Sequence, residues 1–526
     1  MEDWRARIRT RIVSISRVRW IRWLLRKACQ LGTWVVGHRL AVVSGVESVY
    51  VRHSHPRSVT FAPGQSDLDL TLVLADAAAA DATLIRACTD EVKALSRTFY
   101  FVWPQDARFV SRRELAQMES LPGAAEILNA PKQWIRIGGR EVRGADDAPF
   151  MDKTHVALHP EFNAWWLNVL QTHVLTPQTE FVETNMRLCF RVAMKSRVHL
   201  EAARGNFEVA GEGYLGDSKA ALLFADDREM ATILARIRSR NFWALDSQVE
   251  KTTILQRCIA GAADFYRELP LPAATRWVPA LGENAALPET HRADLEDRFE
   301  KAASLRSIVE SVIIYPTPHW FPREYQIDLI LNNEVSHAAF RGAVQDIKSA
   351  FGGRTFGIRG THAQLTFVPR SAYEHPLFFL GTPFPFLHEH VATFAETLSG
   401  MPPRLPAPPT RSERLEWCVR YFLFHRFTLF RRPAYVSKDC NFCQLAAVRL
   451  FLDCGVVLTD AVEVRSAYLE RFDCDREDAG TLDSLLRGAC ETGGEDPDTA
   501  FARALRIQTQ TYDAIESLLR REGMLL

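Results

Sequence analysis

The sequence predicts an α+β chain in which two tandem mixed-sheet domains are each followed by a helical domain. Three observations predict it. A set of short segments recurs in the same order in the second half. Strand-like apolar runs alternate with helical stretches in both halves, and proline-rich segments punctuate them.

The repeat comes first. Val46-Glu47-Ser48-Val49 returns as Val309-Glu310-Ser311-Val312, and Asp69-Leu70 as Asp328-Leu329. Arg97-Thr98-Phe99 returns as Arg354-Thr355-Phe356. Phe109-Val110 with Arg112 returns as Phe367-Val368 with Arg370. Each match lies about 260 residues further on, and an ordered series at one spacing marks a tandem duplication, with about four residues deleted from a loop of the second copy. In the first copy, strands are expected at 48–51, 68–74, 99–102 and 108–111, with a helix over 78–96. Longer helical stretches follow at 183–203 and 413–430. Proline-rich segments at 269–288 and 402–409 separate the parts. The division that results is a basic N-terminal segment at 1–45, a first mixed-sheet domain at 46–155 and a helical domain with linker at 156–290. A second, degenerate mixed-sheet domain at 291–390 and a second helical domain at 391–526 complete it.

The chain of 526 residues is too long for one core, and its 47% hydrophobic and 24% charged content is ordinary for globular domains. Formal net charge is +0, so no global field advertises a polyanionic partner. The charge is uneven, however: residues 1–40 carry ten Arg or Lys against Glu2 and Asp3. Ile8, Ile12, Ile15 and Val18 recur there at helical spacing among arginines. Such a basic amphipathic helix either packs on its own domain or touches a membrane surface, RNA or a protein partner. No apolar run reaches the roughly 20 residues a spanning helix needs, and His38 and Arg39 interrupt the one apolar stretch that could serve as a signal. Ten cysteines without that signal point to free thiols in a reducing, cytoplasmic setting. Cys440 and Cys443 form a CxxC, but the following residues read as a continuous helix, which favours buried thiols over zinc.

The sharpest chemical signal is Ser66-Asp67-Leu68-Asp69-Leu70-Thr71-Leu72-Val73-Leu74. Two carboxylates two apart at the start of an apolar strand share one face and repel unless a cation lies between them. Hard oxygen ligands suit Mg2+. Upstream stand Tyr50-Val51-Arg52-His53-Ser54-His55-Pro56-Arg57-Ser58 and then Phe61-Ala62-Pro63-Gly64.

With these segments the chain resembles the nucleotidyltransferase superfamily of polymerase-β-like fold, most closely the aminoglycoside adenylyltransferases. The resemblance implies two nucleotidyltransferase-type domains. Asp67, Asp69 and Asp106 would be metal ligands and catalytic carboxylates, with Asp106 followed by Ser111 and Glu114-Leu115 as in the family. It implies phosphate contacts from Ser54, Arg57, Ser66 and Lys219, the last in an Asp217-Ser218-Lys219 turn that Ser437-Lys438 echoes in the second half. His53 and Ser58 stand where the family has glycines. In the second half Gln326, Asp328 and Gln364 are set against Asp67, Asp69 and Asp106, and Pro316 with Thr317 against His53 with Ser54. That copy is expected to be silent. The implied activity is transfer of a nucleoside monophosphate, AMP from ATP being the default NTP, to an acceptor hydroxyl with two Mg2+ ions and pyrophosphate release. The acceptor stays open among a small molecule, an RNA end, a protein and a nucleotide. The rival is a catalytically inactive nucleotide-binding scaffold acting with a partner. No Walker loop, GxGxxG, GxSxG or HExxH is present. His53 with His55 and His388-Glu389-His390 are weak metal-like pairs, and Trp165 and Trp166 read as packing residues.

Overall fold

The computed structural model describes residues 8, 11–16, 18–52, 55–57, 61, 63–64, 66, 68–99, 104–119, 134–142, 157–158, 160–176, 226–239, 247–270, 278–279, 287–317, 325–332, 335–382, 386–428, 431, 433, 442–472, 476–488 and 496–525. The helix expected at 183–203 lies outside them.

The chain is α+β with two mixed sheets. It begins with α1 (Arg19–Ala41), β1 (Val46–Val51), β2 (Leu68–Leu74), α2 (Ala82–Thr98), β3 (Pro104–Ser111), α3 (Arg112–Glu119) and β4 (Ile135–Gly139). A helical stretch follows. Its first helix, α4 (Pro160–Ala164), runs on through a π-helical turn at Trp165–Leu170 to Gln171–Leu175, and α5 (Arg228–Ser239) and α6 (Ser247–Glu268) come after it. Next are β5 (Val278–Pro279), α7 (Glu289–Lys301), α8 (Ala303–Ile308), β6 (Val309–Pro316), β7 (Tyr325–Leu331) and α9 (His337–Asp346). Then come β8 (Thr355–Ile358), β9 (Thr361–Pro369), α10 (Arg370–Tyr373), α11 (Pro376–Leu380), α12 (Leu387–Phe394), β10 (Glu396–Gly400) and β11 (Arg404–Leu405). The C-terminal helices are α13 (Arg411–Thr428), α14 (Phe442–Cys454), α15 (Ala461–Arg471), α16 (Arg476–Leu486) and α17 (Pro497–Arg521).

Local chemistry explains the main boundaries. Asp81 caps α2 by accepting from the backbone N–H groups of Thr83 and Leu84, and Ile85, Cys88, Val92 and Leu95 form its buried stripe. Asp496 caps α17 in the same way, with Pro497 in the first turn where a missing N–H costs nothing. Of the strand expected at 99–102, Phe99 instead ends α2, its N–H returning to the Leu95 carbonyl, and residues 100–102 lie outside the described residues; β3 is described from Pro104. An aromatic after a helical run reads as a strand start only when the helix stops before it.

The two sheets share one topology. The first runs β3-β2-β1-β4 and the second β10-β6-β7-β9-β8, so the second matches the first with β8 added at an edge. β2 pairs antiparallel with β1 and parallel with β3, as β7 does with β6 and β9. A bulge falls between Val46 and Ser48 and again between Val309 and Ser311. Gly139 and Gly400 both take left-handed backbone at φ 73° and 82°. A Cβ at either would strike the carbonyl of Glu47 or Glu310 respectively. Bulges and left-handed glycines are specific placements, so their recurrence carries the internal repeat into three dimensions.

The register also corrects one equivalence. Val46 faces Leu74 as Val309 faces Leu331, and Asp69 faces Asp106 as Gln326 faces Gln364. Gln326 therefore stands in the place of Asp69, and Asp328 in the place of Thr71. The connection between the first two strands is shorter in the second half by more than a two-residue Asp-Leu match reveals.

Each sheet is covered by helices of its own half and, in addition, by helices from the opposite half of the chain. The core around Ile313, Leu329 and Phe367 of the second sheet contains Phe162, Trp166, Leu170, Ile254 and Phe265 from α4 and α6. The core around Val49, Leu70 and Phe109 of the first sheet contains Trp417, Phe422, Leu445, Leu505 and Tyr512 from α13, α14 and α17. Polar contacts follow the same crossing. The buried Gln171 amide donates to the Phe367 carbonyl at 2.8 Å and accepts from its N–H at 2.7 Å, continuing the ladder where β8 has ended. Glu114 receives Arg426 at 2.6 Å, joining the start of α3 to α13.

Candidate active site

Three features bring chain to the candidate site on the first sheet. The first is the Pro63-Gly64 turn, where Gly64 adopts φ 80°. Ser66 follows, half-buried, and β2 begins at Leu68. Leu68, Leu70, Leu72 and Leu74 are all fully buried on one face of β2, so strand alternation sends Asp69 to the other.

Asp69 lies directly across from Asp106 on the parallel neighbour β3. Adjacent strands run about 4.8 Å apart, so paired positions put two carboxyl-bearing residues side by side at one pleat. A register shift separates Leu68↔Pro104 from Asp69↔Asp106, leaving Gln105 as an extra residue in β3. The second sheet pairs Tyr325↔Ala363 and Gln326↔Gln364 without such a shift. Bulges re-aim the residues beside them, and here one adjoins the acidic pair.

The electrostatic partner of Asp69 is Arg52. Its guanidinium is almost completely buried and its Nη2 lies 4.0 Å from Asp69 Oδ1. The Arg52 N–H also donates to the Asp69 carbonyl at 2.9 Å, which fixes where β1 ends relative to β2. Arg108 sits on the same face of β3 as Asp106, two residues on, and is half-buried. Sequence reasoning passed over both arginines. The available signal was a cation at strand alternation with the acidic pair, which is unusual in an otherwise apolar sheet.

The remaining expected residues divide plainly. Arg57 is exposed, and its backbone N–H donates to His55 Nδ1 at 3.0 Å. His55 is buried, and burial, reinforced by the Arg57 charge, lowers its pKa to about 4, so it holds the turn as a neutral acceptor. Ser54, Asp67 and Lys219 lie outside the described residues, as do His53, Ser58 and Lys438. Among the described residues no group of three or more His, Cys, Asp or Glu side chains is arranged to hold a metal ion. Asp69 and Asp106 are paired in backbone register, and the Asp106 side chain lies outside what the structure describes.

Ser111 and Glu114 have a structural function. The Glu114 N–H donates to Ser111 Oγ at 3.1 Å and the Ser111 N–H to Glu114 Oε2 at 2.7 Å, a capping box that starts α3 where β3 ends. Glu114 also receives both Arg426 and Arg431. Burial alone would raise its carboxyl, but the two guanidinium groups outweigh that and hold it far below the usual carboxylate range. The Nε2 atoms of His388 and His390 each lie 2.7 Å from a carbonyl, that of Pro406 and that of Pro316, while Glu389 pairs with Arg414. Cys443 is buried inside α14, and Cys440 lies outside the described residues.

The matching face of the second sheet forms a small, half-open cleft against α4, lined in part by Asn168, Tyr315, Thr317, Gln326, Asp328 and Thr366. Tyr315 replaces Arg52, Thr366 replaces Arg108, and Gln326 and Gln364 replace the acidic pair. Asp328 is fully buried, accepting from Tyr315 Oη at 2.9 Å and from Gln326 Nε2 at 2.8 Å. Burial raises its carboxyl to about 6, even against those bonds and the charge of Arg354. Arg354, also buried, donates to the carbonyls of Leu167 and Asn168 and so ties this cleft to α4.

No family model, curated protein or solved structure matches this chain.

Proposed function

We propose that the first sheet carries a Mg2+-dependent nucleotidyltransferase that moves a nucleoside monophosphate, AMP from ATP foremost, to an acceptor hydroxyl and releases pyrophosphate. The observation that carries the reading is the Asp69–Asp106 pairing across a bulge, at the strand whose preceding residues are Ser66 and Asp67. In this reading Asp67, Asp69 and Asp106 hold Mg2+. The ion, when bound, would neutralise phosphate charge and stabilise the charge that develops as the bond to pyrophosphate breaks.

The protein's own groups do the rest. Ser54, Ser66, Arg57 and Lys219 bind and orient the triphosphate. Arg52, held against Asp69, offsets the mutual repulsion of the carboxylates and fixes the side chain beside it. The acceptor oxygen forms its bond to the α-phosphorus as the bond to the pyrophosphate oxygen breaks. The acceptor proton passes to Asp106 or to water. Gln326 and Gln364 carry no charge, so the second sheet has no equivalent acidic pair and is assigned no transfer.

One observation favours a second reading, a nucleotide-binding scaffold without turnover. Arg52 already supplies a cation to Asp69, and a guanidinium there could stand in for the metal. Mass spectrometry of the products after incubation with mixed NTPs, Mg2+ and cell extract separates the two. A new nucleotidylated product supports transfer, and nucleotide binding with no such product supports the scaffold.

A further inference from the structure

The feature least accounted for by a transferase site is the outer face of α1. Trp20, Trp23, Leu24, Leu31 and Trp34 are between 49% and 64% exposed. At about 100° per residue they fall, with Lys27, in one stripe roughly 100° wide. The opposite stripe is already used: Cys29, Thr33, Val36 and Leu40 are buried in the first unit's core, and Gly37 abuts Ile137 and Gly138 of β4. This helix is therefore apolar on two sides, one of them facing solvent. Of the eleven most exposed large apolar side chains among the described residues, eight lie from Ile15 to Val42, so the patch is local and not scattered background.

Charge says what covers it. From Trp4 to Val46 the sequence contains no Asp or Glu, while ten Arg or Lys lie between Arg5 and Arg39. Lys27 lies 5.9 Å over the Trp23 ring, in the middle of the stripe, and Trp34 stacks on His38 at 5.7 Å. Tryptophan flanked by cations suits the boundary between lipid headgroups and acyl chains. No helix among the described residues is long and apolar enough to cross a membrane, which fits a helix lying in the interfacial plane. A second copy is disfavoured, because it would bring two acid-free, cationic segments together. A nucleic acid would leave Leu24 and Leu31 without a use.

We propose that the exposed stripe of α1 docks the protein on an anionic lipid surface, with Trp20, Trp23, Leu24, Leu31 and Trp34 inserted at headgroup depth and the surrounding cations on the lipid charges. The test is sedimentation of the intact protein with vesicles of phosphatidylcholine alone and of phosphatidylcholine mixed with phosphatidylserine, at low and high salt. A Trp20→Ser, Trp23→Ser, Leu31→Ser, Trp34→Ser variant leaves the buried stripe intact, and circular dichroism and the melting temperature confirm its folding. Binding to the anionic vesicles, weakened by salt and reduced roughly ten-fold or more in the variant, is the expected result. Three results would each overturn the proposal. One is absence of anionic-vesicle binding, and another is equal binding by the folded variant. The third is a dimer or an RNA complex that the variant abolishes while vesicle binding persists.

Discussion

Glu114 is the point where the crossed packing can be put to a number. Its side chain is 4% exposed and faces Arg426 and Arg431, which are 9% and 2% exposed. It accepts from Arg426 Nε at 2.6 Å, from Arg431 Nη2 at 2.6 Å and from the Ser111 N–H at 2.7 Å. A Glu114→Gln change keeps the shape and one acceptor but removes the carboxylate charge that Arg426 and Arg431 share, while Arg426 retains Glu516 at 2.9 Å. Removing one partner of a buried ion pair costs about 3–5 kcal/mol, and the amide that remains places this change near about 3 kcal/mol. Glu114→Ala also loses the capping box, adding about 1 kcal/mol. Thermal and urea unfolding of the variants measures the loss, and hydrogen exchange locates it. Exchange should rise in α13 as well as in α3, because the carboxylate joins them. The pH dependence is a second check. A carboxyl held below its ordinary value of 4.5 adds stability above that pH and loses it as the pH falls. The acid limb of the stability curve should therefore be shallower in Glu114→Gln. A loss below about 1 kcal/mol, the range of surface ion pairs, would refute the reasoning.

Other expectations follow from particular residues. Asp328, raised by burial to about 6 from 3.8, should cost stability as the pH rises between those values, by about 3 kcal/mol; Asp328→Asn should flatten that part of the melting-temperature profile. Gly138→Ala would place a Cβ 2.2 Å from the Gly37 carbonyl, so α1 must shift off β4 at a cost of about 1–3 kcal/mol, read by thermal unfolding. Nucleotide transfer, if Asp328 belongs to the silent half, should survive Asp328→Asn nearly intact in a steady-state assay of the folded variant.

Much of the fold was legible because its signals are local. The runs at 48–51 and 68–74 alternate or are continuously apolar, and both are strands. The repeated Val-Glu-Ser-Val segment marks the same bulged first strand in both sheets. The crossing was not legible. An apolar stripe on α4 or α13 says that the helix is covered, not by which sheet. The register of the second sheet was missed for a related reason. Asp328 follows the sequence match to Asp69, whereas the hydrogen-bond ladder sets it against Thr71. At the site, the acidic residues of the first sheet stood out by spacing, while the partnership of Arg52 with Asp69 came into view only once β1 was set beside β2.

The central claim is transfer at the acidic pair of the first sheet, and pyrophosphate release tests it most directly. Purified protein would be incubated with each NTP, Mg2+ and an extract depleted of pyrophosphatase and other nucleotidyltransferases, beside an Asp67→Asn, Asp69→Asn double variant. Both changes remove charge with little change in volume, so circular dichroism should show a folded protein. Release of pyrophosphate by the wild type, dependent on Mg2+ and abolished in the folded double variant, is the predicted result. Release that persists undiminished in that variant, or none from the wild type with any NTP, would contradict it.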